Sequence, residues 1–214
     1  LLGGRKAAAP ILLYVLIGLT AVVADASGDR PVGTLRCGPH SPEMRTLARS
    51  PELRVYEEVE SSDGWAFACG PALPRPVRVG PSPPGGRRWF ARIGRPVVIR
   101  DYWIAAVEHQ VEGTDWGSTW LRVFEARTHH LSRCEVGGFA QTEDRKFRRL
   151  ILSPKGNLAW VLTQEGRPLL GVCDRRSKLT ILDEDPTLVI DSVELDESLL
   201  RWTDSSGDHS RPLP

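Results

Sequence analysis

From residue 51 onward the chain is a succession of short apolar runs separated by clusters of Gly, Pro, Ser, Asn and Asp, and no run there has the length or the 3.6-residue period of a helix. A chain so punctuated can bury its side chains only as short strands. Residues 54–59 and 65–69 flank Ser61-Ser62-Asp63-Gly64, the composition of a hairpin turn, and residues 76–79 follow as a third strand. Further runs at 89–93, 97–99, 103–108, 120–126 and 131–136 form a second group. Runs at 150–152, 158–162, 169–173 and 179–182 form a third, with a Ser153-Pro154-Lys155-Gly156-Asn157 turn inside it. A tail group has strands at 193–195 and 199–203, closed by a Ser205-Ser206-Gly207 turn. The expected fold class is all-β.

The groups echo one another. Strand-turn-strand units with an inner tryptophan recur at Trp65, Trp103, Trp160 and Trp202, spaced by 38, 57 and 42 residues, which brackets the length of a propeller blade. About four irregular, antiparallel, propeller-like repeats are therefore expected over residues 51–214. Four is the lower end for a closed ring, so an open stack, or a ring completed by another chain, fits the same pattern.

The N-terminal end reads as an address. Arg5 and Lys6 precede an apolar stretch over residues 7–24, expected to be the chain's one hydrophobic helix, and Ala24 and Ala26 stand three and one before a cut. Two readings fit: a signal peptide cleaved after Ala26, favoured by the alanine pair, or an uncleaved anchor touching the membrane only through residues 7–24. Residues 27–50, rich in Gly and Pro, read as a lead-in segment. The expected location is outside the cell or in its envelope.

Export decides the cysteine chemistry. Cys37, Cys69, Cys134 and Cys173 all follow the address, and four thiols in an oxidising compartment favour two disulfides. Three pairings are open. Cys37 with Cys69 and Cys134 with Cys173 is the preferred one, because each bridge would staple neighbouring β units.

Several stretches carry a resemblance. Arg54-Val55-Tyr56-Glu57, Ala66-Phe67-Ala68-Cys69-Gly70, Leu150-Ile151-Leu152-Ser153, Gly156-Asn157-Leu158-Ala159-Trp160, Ser192-Val193-Glu194-Leu195 and Leu200-Arg201-Trp202-Thr203 resemble a group of uncharacterised, exported β-repeat proteins of high-G+C bacteria. The similarity spans most of residues 36–204 and implies a fold, with no activity or catalytic residue to carry over. The 24 Arg against 4 Lys are what GC-rich codons produce.

No catalytic signature stands out. His129-His130 with Cys134 is the nearest approach to a metal cluster, yet it lacks a second spaced pair and falls where a turn is expected. Asp204-Ser205-Ser206-Gly207-Asp208 lacks the ligand run and closing Glu of a calcium loop. No catalytic residue, metal or cofactor is assigned. The alternative to a binding module is a secreted hydrolase, using an acid pair such as Asp183 and Asp185, or a carbohydrate-binding protein.

Charge is more informative. Beyond residue 26 the chain holds 26 basic and 26 acidic side chains, which argues against a nucleic-acid footprint. Within that balance, residues 71–100 contain seven Arg and no acid, while residues 183–198 contain seven acids and no base. A basic surface around Arg87, Arg88 and Trp89 would suit a protein or an anionic cell-surface polymer. Trp116 and Trp120 beside Asp115 form a second candidate ligand surface, with Trp103 near it, through sugar stacking. Solvated charges and core tryptophans are the plainer readings of both features.

Overall fold

The computed structural model describes residues 44–58, 65–80, 89–112, 116–140 and 145–213, with the side chains of 89, 90, 112, 116 and 138–140 outside that description. All of these lie within one compact unit. The expected N-terminal helix, Cys37, Arg87, Arg88 and Asp115 fall outside the described residues. Among the described residues no helix is long and apolar enough to cross a membrane.

The described chain is all-β apart from a single 3-10 turn at Ile190–Ser192. Its fifteen strands form four antiparallel sheets, each a meander in chain order. Strands β1 (Met44–Arg49), β2 (Arg54–Glu58), β3 (Ala66–Cys69) and β4 (Val77–Gly80) make the first sheet. The second comprises β5 (Trp89–Arg100), β6 (Trp103–Glu112), β7 (Trp116–Glu125) and β8 (Leu131–Ala140). The third comprises β9 (Arg145–Leu152), β10 (Leu158–Gln164), β11 (Arg167–Cys173) and β12 (Leu179–Asp183). The fourth has three strands, β13 (Glu194–Asp196), β14 (Leu199–Asp204) and β15 (Gly207–Pro212). Repetition of one meander along the chain is the propeller-like pattern that the tryptophan spacing predicts.

Alternation decides the packing. Successive side chains of a strand point to opposite faces, so each middle sheet supplies two cores. Leu53, Val55, Ala68 and Val79 of the first sheet meet Ile104 and Phe124 of the second. On the other face of the second sheet Trp103, Ala105, Val107, Leu121 and Val123 meet Leu150, Leu158, Trp160 and Leu162 of the third. Ala159, Val161, Leu170 and Val172 then turn to Leu200 and Trp202 of the fourth.

The tryptophan echo is structural. Trp103, Trp160 and Trp202 each lie on the second strand of their sheet, at 9%, 0% and 8% exposure, whereas Trp65 precedes the third strand of its own and holds Arg78 over its ring. Gly171 makes room for the Trp160 indole, because a Cβ there would sit 2.3 Å from the ring. Cys134 of β8 and Cys173 of β11 form a disulfide with Cα atoms 5.9 Å apart, locking the second sheet to the third as expected. Cys69 is also disulfide-bonded.

Three expectations need correcting. The runs at 89–93 and 97–99 are one strand, β5, which passes through Gly94-Arg95-Pro96 by a register shift rather than a turn. The first strand, β1, begins inside the stretch read as lead-in, because its partly buried Leu47 and Ala48 suffice to cover one sheet edge. The polar strand β15 has only one strongly buried neighbour to betray it, Leu213, and pairs with β14 along its length.

Candidate functional site

Three turns meet at one end of the second and third sheets. In the turn after β9, Ser153 Oγ accepts a hydrogen bond from Asn157 N at 2.9 Å, and Gly156 takes φ +79°. Any side chain at Gly156 would collide with Trp103, 2.5 Å from the position of a Cβ. Lys155 is thereby held at the apex, in solvent. In the turn after β11, Asp174 Oδ1 accepts from Arg176 N at 2.8 Å and Lys178 N at 2.9 Å, an Asx turn that presents Arg175 and Arg176 outward. Asn157 Oδ1 accepts from Arg175 N at 3.1 Å, tying the two turns together. The third turn, after β7, is capped by Glu125, whose carboxylate accepts from Thr128 N at 2.5 Å and is held below the usual carboxylate range by its bonds to Thr128 and Arg127, against the cost of burial.

Between these turns lies an open basin of about 550 Å³ lined by His130, Lys155, Asn157, Asp174, Arg175 and Arg176. Its electrostatics are one-sided. Three permanent cations face a single carboxylate, and that carboxylate is already engaged by two backbone amides. The Arg175 guanidinium lies 5.0 Å from the centroid of Trp103, which braces it without neutralising it.

A Ser-His contact exists here. Ser132 Oγ is 3.2 Å from His130 Nε2 and also bonds Arg175 O at 2.7 Å. Ser132 is also fully buried, out of reach of a substrate. The basin as built can hold an anion and has no activated nucleophile among its described residues.

The residues singled out from sequence scatter. Trp120 lies half-buried on the face of the second sheet opposite to Trp103, its Nε1 donating to Ser118 Oγ at 2.7 Å and the Arg133 guanidinium 4.5 Å from its ring. The two rings therefore share no platform. Trp89 and Trp116 begin β5 and β7. Asp183 Oδ2 accepts from Trp202 Nε1 at 2.7 Å, and Asp185 Oδ1 accepts from Thr187 N at 2.7 Å. The Thr187 hydroxyl and amide hold Asp185 below the usual carboxylate range, and both acids have structural duties. Cys134 spends its sulfur in the disulfide, which removes it from the His129-His130 cluster. Among the described residues no group of three His, Cys, Asp or Glu is placed to hold a metal ion.

Lys155, Arg175 and Arg176 were not anticipated. The available signal was a basic pair, Arg175-Arg176, directly after a turn-forming Asp174, together with a Lys at the apex of a turn that was itself foreseen.

No family model matches the chain, and no curated protein matches it. Among solved structures, the WD40 domain of SCAP from fission yeast is similar over 81% of this chain and 40% of that chain, at 14% identity and a TM-score of 0.32. The chain thus spans well under half the length of that structure.

Proposed function

We propose that this protein is an exported, propeller-like β-repeat interaction module of the cell envelope, akin to the uncharacterised exported β-repeat proteins of high-G+C bacteria, and that its partner presents anionic groups to the turn-end basin. The carrying observation is the basin itself: about 550 Å³, open, and bordered by Lys155, Arg175 and Arg176 on hydrogen-bonded turns. Open, pre-formed surfaces dominated by one sign of charge suit association steered by charge. Export is supported by the disulfides, which persist in oxidising compartments, and by the N-terminal address. The partner is a protein or an anionic cell-surface polymer. Nucleic acid is not favoured, given the neutral balance of the chain beyond residue 26.

The test is titration of the oxidised protein with polyglutamate and with a teichoic-type polyphosphate at low and high salt. Binding should weaken as salt rises, and the Lys155→Glu, Arg176→Glu double variant should bind about tenfold more weakly or worse, a loss of roughly 1.4 kcal/mol. Binding that ignores both salt and the double variant would refute the basin. Turnover in a broad hydrolase screen would refute the module.

A further inference from the structure

The first strands of the first three sheets lie at the edge of their sheets, and each is broken once by a β-bulge. In β1 the register with β2 slips between Thr46 and Ala48, leaving Leu47 over. In β5 it slips between Gly94 and Val97, leaving Arg95 and Pro96. In β9, Phe147 and Arg149 pair with consecutive residues of β10, leaving Arg148. These strands are neighbours in space, β1 beside β5 and β5 beside β9. A single hollow of about 450 Å³ is lined by Leu47, Arg95, Pro96, Val97, Phe147 and Arg148. The leftover residues of three separate sheets are therefore its walls.

Bulges re-aim side chains, and β9 shows how. Phe147 packs into the core toward the second sheet, 6.2 Å from Trp160. Arg149 turns toward the fourth sheet and donates to Asp191 O at 2.9 Å. Arg148, left over between them, stays exposed, steadied by donation from its Nε to Thr163 Oγ1 at 3.1 Å. Arg95 is likewise exposed, while Leu47, Pro96, Val97 and Phe147 are half-buried. Charge follows the same line: β1, β5 and β9 hold two, three and four basic residues and no acid.

Charged, bulged edges also guard against unwanted strand pairing. Guarding any one edge does not require three bulges to converge on one hollow, nor four apolar side chains to line it together with two exposed arginines. We infer that the hollow docks an extended acidic segment of a partner protein, seating one bulky apolar side chain against Leu47, Pro96, Val97 and Phe147 and pairing flanking carboxylates with Arg95 and Arg148. This assignment rests on the interaction-module reading and adds a second site and a partner class to it. The hollow is too open to enclose a small molecule, which favours a larger partner. Because the bulges interrupt the ladder, the segment is held by side chains rather than added as a strand.

The experiment uses the full, oxidised, isotope-labelled protein and three capped probe peptides, Glu-Glu-Leu-Glu-Glu, Glu-Glu-Ser-Glu-Glu and Lys-Lys-Leu-Lys-Lys. The first should shift the amides of residues 47, 95, 97, 147 and 148. The Ser probe should bind about fivefold more weakly, the Lys probe should not bind, and Arg95→Glu with Arg148→Glu should weaken the first probe about tenfold or more. Since both arginines are exposed, Arg148→Gln alone serves as a gentler variant and should weaken it about threefold. Equal binding of the Leu and Ser probes, or unchanged binding by the double variant, overturns the site, as do shifts confined to other residues. Lys155→Glu with Arg176→Glu separates the two claims. If a partner binds through those residues while the Leu probe ignores the hollow, only this site falls. If the probe binds here while nothing anionic engages the basin, the basin reading falls and this site stands.

Discussion

The two faces of the second sheet both bury side chains, and they do so with different chemistry. Toward the third sheet β6 and its neighbours present Trp103, Ala105, Val107, Leu121 and Val123, with the disulfide beside them. Toward the first sheet the same strands present Ile104, Ala106 and Phe124, and then Glu108, Gln110, Arg122 and Arg133. Val107 and Glu108 are adjacent in sequence and both have 0% exposure. The carboxylate is tolerated there because its bonds are filled: Arg122 NH1 donates to Oε2, while Arg133 NH2 at 3.0 Å and Gln110 Nε2 at 2.7 Å donate to Oε1. Gly80 of β4 leaves the room, since a Cβ there would lie 3.1 Å from the Arg122 guanidinium. Depth in a sheet therefore sets how much a side chain must be satisfied, and leaves open whether apolar contact or charge does it.

The most direct way to break this contrast is Glu108→Ala. Removing one partner leaves Arg122 buried and unpaired, at a cost of about 3–5 kcal/mol, read by urea denaturation. Replacing Glu108, Arg122 and Arg133 together by Leu, Met and Leu should recover most of that loss, because an apolar set of similar volume can stand in for buried charges. A single variant costing under about 1 kcal/mol would show that water reaches the network.

On the apolar face the matching test is the bridge. Cys134→Ala with Cys173→Ala opens a loop of 39 residues and should cost about 2–4 kcal/mol, with the unfolding transition still cooperative. A smaller effect comes from Gly171→Ala, which forces a methyl into the Trp160 ring and should cost about 1–3 kcal/mol. Gly166→Ala is its control. Nothing lies within 4 Å of a Cβ at Gly166, so only its φ of +79° opposes substitution, at about 1 kcal/mol.

The same contrast explains what could be read in the sequence. Apolar runs such as Leu158-Ala159-Trp160-Val161-Leu162 fix strands buried on both faces, and turn residues such as Ser153 through Asn157 fix their ends, so the third sheet was legible almost strand by strand. Even the Cys134–Cys173 pairing followed from stapling neighbouring units. Register shifts are another matter. Gly94-Arg95-Pro96 has a turn composition, yet here it is a two-residue bulge inside β5, because Val97 regains the ladder opposite Ala106. A bulge is recognisable only once the partner strand is known. The candidate sites suffered for the same reason: Lys155, Arg175 and Arg176 come from two turns brought together by sheet packing, and the residues around the second hollow come from three sheets. Linear charge blocks pointed elsewhere.

The pair His209 and Asp204 sharpens the comparison from another sheet, since the His209 side chain is about a third exposed whereas the Glu108 carboxylate has no exposure. His209 Nε2 lies 2.9 Å from Asp204 Oδ1, and the imidazole stacks on Trp202 with centroids 5.3 Å apart. Hydrogen bonding to Asp204 raises the histidine above its ordinary value, while bonds from Ser206 and His209 hold the aspartate well below the carboxylate range. The two shifts act on opposite flanks of pH. The imidazolium's contribution is fully present below the unfolded histidine value of about 6.5 and is lost as pH rises through the raised folded value. The carboxylate's contribution is present above the unfolded aspartate value of about 3.9 and is lost as pH falls through the depressed folded one. Amide-exchange protection in the hairpin of β14 and β15 should therefore be greatest between those flanks. His209→Gln should flatten the alkaline side and also shrink the depression of Asp204 on the acid side. The effect should be small beside that of Glu108→Ala, because the His209 ring is about a third exposed, where water and salt screen its charge. An imidazole in the folded protein that titrates at or below about 6.5 would mean that the Trp202 stack, rather than the carboxylate, positions the ring.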